Sequence, residues 1–505
     1  MESLAVSLAF TMCTLIAIHY LLRYTVNPLL HRKAKLPPGP IGLPFFGSLF
    51  HVFKQGQPHK TLANLAQEYG PLMTVRLGRT ITVVAASPEM AKEILQKHDE
   101  ATSGRIVPNA VTGQAYYDHS ILWISAQHQW RIIRRVLKTS FLNPQKLDHF
   151  EGGRCKVVEE MVEFLHEVSK RGEAINIGEL VFKTLLNQTS KTCFGVNVAE
   201  YKSKVGNDIN RVVKDIMELD AKFNIVDFFP WLGPFDPQGI RHNAKVAYDW
   251  LHKFCDNFID ARLKHRNANS WRHGDLLDSL LDYSQENESE FNRMHLKILL
   301  VDVILGGTET SAETIEWAMH ELLLHPDTMS KAREELQAKQ GTGMQQGQLR
   351  ELEALQLPYL QAIIKETLRL HVPIPFLVPH RSECEVKIKD YIIPKDTQIL
   401  VNAWAMARDP NEWEKPNNFT PERFLGSGLD FKGRDYSYLP FGSGRRMCPG
   451  MPLAQRSVGF ILGALLLNFE WKLPHGMTGC DADEGVTFGV SLLRNVPLFA
   501  IPYNN

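Results

Sequence analysis

Residues 440–450 read PFGSGRRMCPG, a stretch that wraps one cysteine, Cys448, in three glycines, two arginines and two prolines. A cysteine used only for packing needs none of these neighbours. Pro449 follows it, and proline suits the first position of a helix. The apolar run VGFILGALLLNF (458–469) extends that predicted helix to about residue 469. Cys448 is then expected at the helix N-cap, facing unpaired N–H groups and the positive end of the dipole, a place that favours thiolate over thiol. Pro449 has no N–H, so the donors come from Gly450 onward. Gly442 and Gly444 let the loop turn tightly and approach a bound group. Arg445 and Arg446 supply cations for carboxylates. The stretch describes a protected, electron-rich sulfur beside a flat, acidic ligand.

The chain around it has 505 residues, with 56 Lys+Arg against 56 Asp+Glu. That balance, without any basic run, gives no footprint for nucleic acid. Seven cysteines (Cys13, Cys155, Cys193, Cys255, Cys384, Cys448, Cys480) lack CxxC pairs or regular spacing, which argues against a disulfide framework or a zinc ribbon. From Leu4 to Leu22 there is no formal charge, a length that crosses a bilayer. No Lys or Arg precedes the run and no small-residue cleavage site follows, so a retained anchor is favoured over a signal peptide. The basic HRKAK (31–35) beyond it places the body on the cytosolic side. LPPGP (36–40) reads as a stiff, extended strap. Three regions follow: a membrane anchor over 1–24, a basic and Pro-rich linker over 25–40, and one large domain over 41–505. The domain reads as mainly α with small β-sheets. Extended patterns (LMTVRLG, ITVVAA, EVKIKDYIIP) flank a long helical middle, and GTGMQQGQ (341–348) reads as a surface loop.

The longest predicted helix runs from about Asn292 to His325 and stops at Pro326. Its middle, LGGTETS (305–311), holds two glycines, each costing roughly 1 kcal/mol relative to alanine. Either another helix crosses closely there or the backbone makes room for a flat ligand. Thr310 can bond back to the carbonyl of Gly306 and bend the helix.

The stretch 440–450 matches the haem-binding signature of the cytochrome P450 family, F-x-x-G-x-R-x-C-x-G, at Phe441, Gly444, Arg446, Cys448 and Gly450. Other motifs of that family follow in order, so the whole chain resembles it. The resemblance implies the cytochrome P450 fold behind a single N-terminal transmembrane helix. It implies heme b with Cys448 as axial ligand of the iron, and Phe441, Gly442 and Gly450 as further haem contacts. It assigns Trp130 and Arg134 in WRIIR, His380 in LVPHR, and Arg446 to the haem propionates, with Arg381 as the neighbour that competes with His380. Glu366 and Arg369 in KETLR, joined by Arg423 in PERF, would stiffen the haem-binding core. Glu309 and Thr310 would carry protons to the oxygen site.

The anchor, the PPGP strap and ETSAETIEWAM resemble plant microsomal members. DFFPWLGPFDPQG, SGRIVPNA and NAWAMARDP are similar to the clade that contains geraniol 8-hydroxylase and the ferruginol-forming oxidases. This implies a monooxygenase acting on a lipophilic substrate, a terpenoid first and an alkaloid or phenolic second, with O2 and electrons from NADPH-cytochrome P450 reductase. It places the chain in the endoplasmic reticulum membrane as a single-pass protein with its catalytic domain in the cytosol. FFPWLG (228–233) is either a membrane-dipping entrance or an ordinary buried turn. The substrate walls are expected from Ile106–Tyr117, Val372–Val378 and Gly489–Leu492. Two rival classes are a haem-thiolate binder without turnover and an isomerase or dehydratase that needs no electron partner. Members of the latter kind tend to lack the acid–threonine pair kept here.

Overall fold

The computed structural model describes residues 35–474 and 485–504 apart from 115, 203–204, 269–271 and 341–348, together with 11, 12 and 14. The expected anchor and most of its linker lie outside these residues, as does the GTGMQQGQ loop. Among the described residues no helix is long and apolar enough to cross a membrane.

The largest sheet is built from β1 (Leu72–Leu77), β2 (Thr80–Ala85), β3 (Gly104–Arg105), β4 (His380–Arg381) and β5 (Gln398–Val401). Its order is β1-β2-β5-β4-β3. The first two strands are LMTVRL and TITVVA, and only Gly78 and Arg79 separate them. Gly78 takes φ +57° and a Cβ there would stand 3.0 Å from Phe228, so glycine makes this turn. Strand β5 pairs parallel to β2, with Thr82 opposite Gln398. Strand β3 pairs antiparallel to β4, setting Arg105 opposite His380. The EVKIKDYIIP pattern forms a separate hairpin, Val386–Ile388 with Tyr391–Ile393. The proline strap is bonded to this region: Thr74 N–H donates to Pro38 O at 2.7 Å, and Ile392 N–H to Lys35 O at 3.0 Å. A Cβ at Gly39 would overlap the carbonyl oxygen of Thr74, so the strap lies flat on β1.

Helices dominate the rest. The ones that shape the site are α1 (His128–Leu137), α2 (Glu151–Arg171), α3 (Ile177–Phe194), α4 (Val205–Leu219), α5 (Ile240–Ala268), α6 (Arg293–Leu324), α7 (Pro358–Leu370) and α8 (Met451–Asn468). Helix α6 spans the body over about 48 Å at 1.5 Å per residue. The Asn292 side chain caps it by accepting from the N–H groups of Met294 and His295. Pro326 ends it by excluding the next helical residue from the ladder. It packs against α3, α5, α7 and α8 around one continuous apolar core. Helix α8 begins at Met451, two residues later than the proline pattern suggests, with Gly450 as N-cap and Pro452 in the first turn. Pro449 therefore belongs to the loop. The five described cysteines outside positions 13 and 480 are free.

Candidate functional site

A cavity of about 320 Å³ opens between α6 and the loop that carries Cys448. Phe441 O accepts from Cys448 N–H at 2.9 Å, which closes the loop over the residues between them. Gly442 and Gly444 both take left-handed backbone, with φ near +69° and +68°. Their tasks differ. Gly442 lines the cavity, whereas a Cβ at Gly444 would stand 1.9 Å from the carbonyl oxygen of Leu95. Close approach at Gly444 is thus to the protein's own chain rather than to a bound group. The two arginines divide in the same way. Arg445 faces Asp99 at 3.2 Å, while Arg446 lines the cavity.

The Cys448 side chain has exposed surface, which opens on the cavity deep inside the protein. The N–H groups of Gly450 and Met451 bond toward it, as the helix-start argument expects, and Arg134 adds a positive charge. Burial nevertheless wins and holds the thiol above its ordinary range. The helix-start N–H groups and Arg134 act in the direction the sequence predicts, and a positive partner at the sulfur would act with them.

The polar corner of the cavity calls for the opposite charge. Trp130 lies between two guanidiniums, with Arg134 at 5.1 Å and Arg446 at 5.2 Å from its ring. Arg134 donates to Met447 O at 2.7 Å, and Arg446 to Ser103 O at 2.9 Å and to Ile124 O at 2.5 Å. His380 sits nearby with Nδ1 2.7 Å from Thr102 O, so its N–H is committed to that carbonyl. Burial, then Arg105, lowers its pKa to about 3, leaving the ring neutral. Arg381 turns away toward Glu383 and Asp396. Sequence reading missed Arg105, a lone arginine in SGRIVPNA with no pattern to mark it. The strand register sets it opposite His380, and it donates to Val378 O at 2.6 Å while lining the cavity. Burial lowers the pKa of Arg105, Arg134 and Arg446, the last to about 10. Three guanidiniums grouped without a bonded carboxylate fit a dianionic ligand. With a sulfur that wants a positive partner, these residues fit haem: iron at Cys448, propionates at Arg105, Arg134 and Arg446.

On the opposite wall α6 answers the question of its two glycines. A Cβ at Gly306 would meet nothing within 4 Å, and at Gly307 only Thr189 Oγ1 at 3.7 Å. No close helix crossing requires them; they leave space in the cavity. Thr310 lines the same space and its hydroxyl donates to Gly306 O at 2.9 Å. Glu309 points elsewhere. It is 1% exposed and lines a second, smaller cavity of about 50 Å³ with Glu313, Glu316 and Lys214. Its Oε2 has no partner, and burial pushes its pKa up to about 7. Helix geometry explains the separation, since adjacent residues stand about 100° apart around the axis.

Glu366 and Arg369 on α7 come together with Arg423. Glu366 accepts from Arg369 at 2.8 and 2.9 Å, from Arg423 Nε at 3.1 Å and from Thr420 N–H at 2.8 Å. Arg369 spends its remaining donors on Ala407 O, Pro416 O and Asn418 O. A second buried pair, Arg154–Glu351 at 2.6 Å, joins residues with no sequence motif. Of the expected substrate walls, Tyr116, Pro373, Ile374, Leu377, Val378 and Val490 line the cavity. Ala110 instead packs on Ile240 and Ala244 of α5.

A family model described as Cytochrome P450 matches residues 37–499. Geraniol 8-hydroxylase of Catharanthus roseus is 40% identical over 500 residues, 99% of each chain. Geraniol 8-hydroxylase of Swertia mussotii is 40% identical over 490 residues, 96% of this chain and 98% of the relative. Sugiol synthase of Salvia miltiorrhiza is 40% identical over 474 residues, 94% of this chain and 95% of the relative.

Proposed function

The chain belongs to the cytochrome P450 family, and from that premise we propose that this haem-thiolate monooxygenase hydroxylates a terpenoid, with O2 and with electrons passed from NADPH by a reductase. When bound, heme b supplies the activation of O2 and the oxidising power that places one oxygen atom on carbon. The protein's part is position and protons. Cys448 presents its sulfur, and Arg105, Arg134 and Arg446 orient the acidic edge of the macrocycle. Gly306 and Gly307 leave space above it. Thr310 holds a hydroxyl on the cavity side of α6. Glu309 opens on the second cavity, about 100° around the helix from Thr310, and would serve as the acid that takes up protons on that side.

One observation carries the substrate class: much of the cavity wall is hydrocarbon, with Val303 and Leu305 on α6 and Leu122, Ile374, Leu377 and Val490 from other segments lining it. Such a wall favours a lipophilic skeleton by apolar burial. The relatives named for geraniol and sugiol point the same way.

The membrane reading has its own support. Ile41, Leu43, Phe50, Trp231 and Phe235 are exposed, although large and apolar. Phe46 joins Phe50 at 5.0 Å and Phe229 at 5.7 Å, so the two segments form one apolar surface. This surface, with the anchor over 1–24, holds the domain on the cytosolic face of the endoplasmic reticulum.

The test uses the full chain in vesicles with NADPH-cytochrome P450 reductase and a panel of mono-, sesqui- and diterpenes, alkaloids and phenols. Terpene-dependent NADPH and O2 consumption with a hydroxylated product is expected. Product formation without reductant would favour an isomerase or dehydratase. No consumption with any compound would leave a haem binder.

A further inference from the structure

Two carboxyl groups, Asp220 and Asp302, stand among the hydrocarbon of the cavity wall. Asp220, the residue after α4, lines the cavity and is 6% exposed. Its Oδ2 accepts a 2.6 Å bond from the Tyr248 hydroxyl on α5. Its Oδ1 has no partner. The Tyr248 ring stands 4.6 Å from the Tyr116 ring, and the Tyr116 hydroxyl donates to Asp302 on α6. Asp302 also accepts from Ser120 Oγ at 2.8 Å and from Ile121 N–H at 3.0 Å. Both oxygens of Asp302 are thus occupied, while one oxygen of Asp220 is buried without a partner. Asp302 precedes Thr310 by eight residues, about 12 Å along α6 at the helical rise, so the cluster lies well away from the oxidising end.

We propose that Asp220 is the residue that holds a hydroxyl group of the substrate, so that it sets a preference for alcohols or phenols over the matching ethers and hydrocarbons. The proposal rests on the terpenoid reading above for the skeleton, and on the Asp220 cluster for the functional group. A buried acceptor left unpaired is costly, and a ligand donor removes that cost. Burial also pushes the Asp220 carboxyl up to about 7, so neutral solution contains both its forms. A hydroxyl serves both, donating to the carboxylate and accepting from the acid. An ammonium brings three donors to one unpaired oxygen and only acceptors can satisfy it. The polar cluster therefore suits an alcohol better than an amine.

The test measures binding to the holoenzyme through the ligand-induced change in haem absorbance, checked by calorimetry. The probes are geraniol, its O-methyl ether, the matching hydrocarbon, geranylamine, a diterpene phenol with its methyl ether, and a plain non-terpenoid phenol. The alcohols and phenols should bind roughly tenfold to a hundredfold more tightly than their ethers, the worth of a hydrogen bond to a charged group. Asp220→Leu should erase that preference and leave ether and hydrocarbon binding nearly unchanged. Asp220→Asn, closer in shape, should narrow it and serves if the leucine variant fails to assemble with haem. Tyr248→Phe should weaken it by loosening Asp220. Equal binding of alcohol and ether, a preference that survives Asp220→Leu, or tightest binding of the amine would overturn the proposal. Asp220-dependent binding of the plain phenol, with no terpenoid binding at all, would instead refute the terpenoid skeleton and leave the hydroxyl anchor standing.

Discussion

Glu366→Gln keeps the shape of a side chain that is fully buried and replaces its charge with an amide. Glu366 accepts four bonds, three from the guanidiniums of Arg369 and Arg423 and one from Thr420 N–H. The amide can accept at one atom only and turns two donors toward donors. Arg369, 0% exposed, then keeps its charge among main-chain carbonyls without its anion. Breaking a buried ion pair from one side costs about 3–5 kcal/mol. At roughly 2.1 cal/mol/K per residue, a chain of this length loses about 1 kcal/mol per degree near its midpoint, so Tm should fall by about 3–5 °C. Arg423→Met should cost less. Glu366 keeps both bonds from Arg369 and the one from Thr420 N–H, so no buried charge is left without its counter-ion. Thermal unfolding of the holoprotein, followed by circular dichroism and by the haem band together, measures both. If Glu366→Gln melts within a degree of the wild type with haem retained, the triad is not what stiffens the haem-binding core.

Cys448→Ser should abolish the carbon monoxide band of thiolate-ligated haem and all hydroxylation; a normal band in this variant would assign the axial ligand elsewhere. Thr310→Val preserves volume and removes the hydroxyl, so NADPH consumption should persist while product falls by roughly 10²–10⁴-fold and peroxide rises; normal coupling would make Thr310 a packing residue. Burial raises the pKa of both Glu309 and Glu313 above the unfolded carboxylate value. Their folded forms hold protons more tightly, so stability is greatest in acid and is lost as pH climbs toward about 7 and beyond. Tm should therefore fall between about pH 5 and pH 8, and Glu313→Gln should flatten that slope; an unchanged slope would show the carboxyls to be solvated. Asn418 is exposed and begins an N-x-T sequon, whereas Asn187 is buried with its amide bonded to Ala199 O. The proposed cytosolic orientation requires that Asn418 carry no glycan, and a mobility shift after endoglycosidase treatment of the membrane-expressed chain would reverse the topology.

Local pattern carried a large share of this protein. Extended patterns marked β1 and β2, and the reading of a helix from about Asn292 that stops at Pro326 bounded α6 to within a residue, because both signals act through neighbours in the chain. The motif around Cys448 named the sulfur, its arginine and its glycines for the same reason. Pairings across long separations were not legible. Nothing in SGRIVPNA says that Arg105 will face the cavity beside His380; the β3–β4 register decides it. The single-residue step from Thr310 to Glu309 sends two adjacent side chains into different cavities, which only the packing of α3 and α4 around α6 defines. Asp220 carried no motif at all. Its unpaired oxygen exists because Tyr248 bonds one side of a carboxyl that folding has buried. Sequence determines which groups are present and how each segment coils, since those depend on residues a turn apart. Tertiary structure decides which groups lose water and which find partners, since burial and hydrogen bonding are properties of what distant segments bring together.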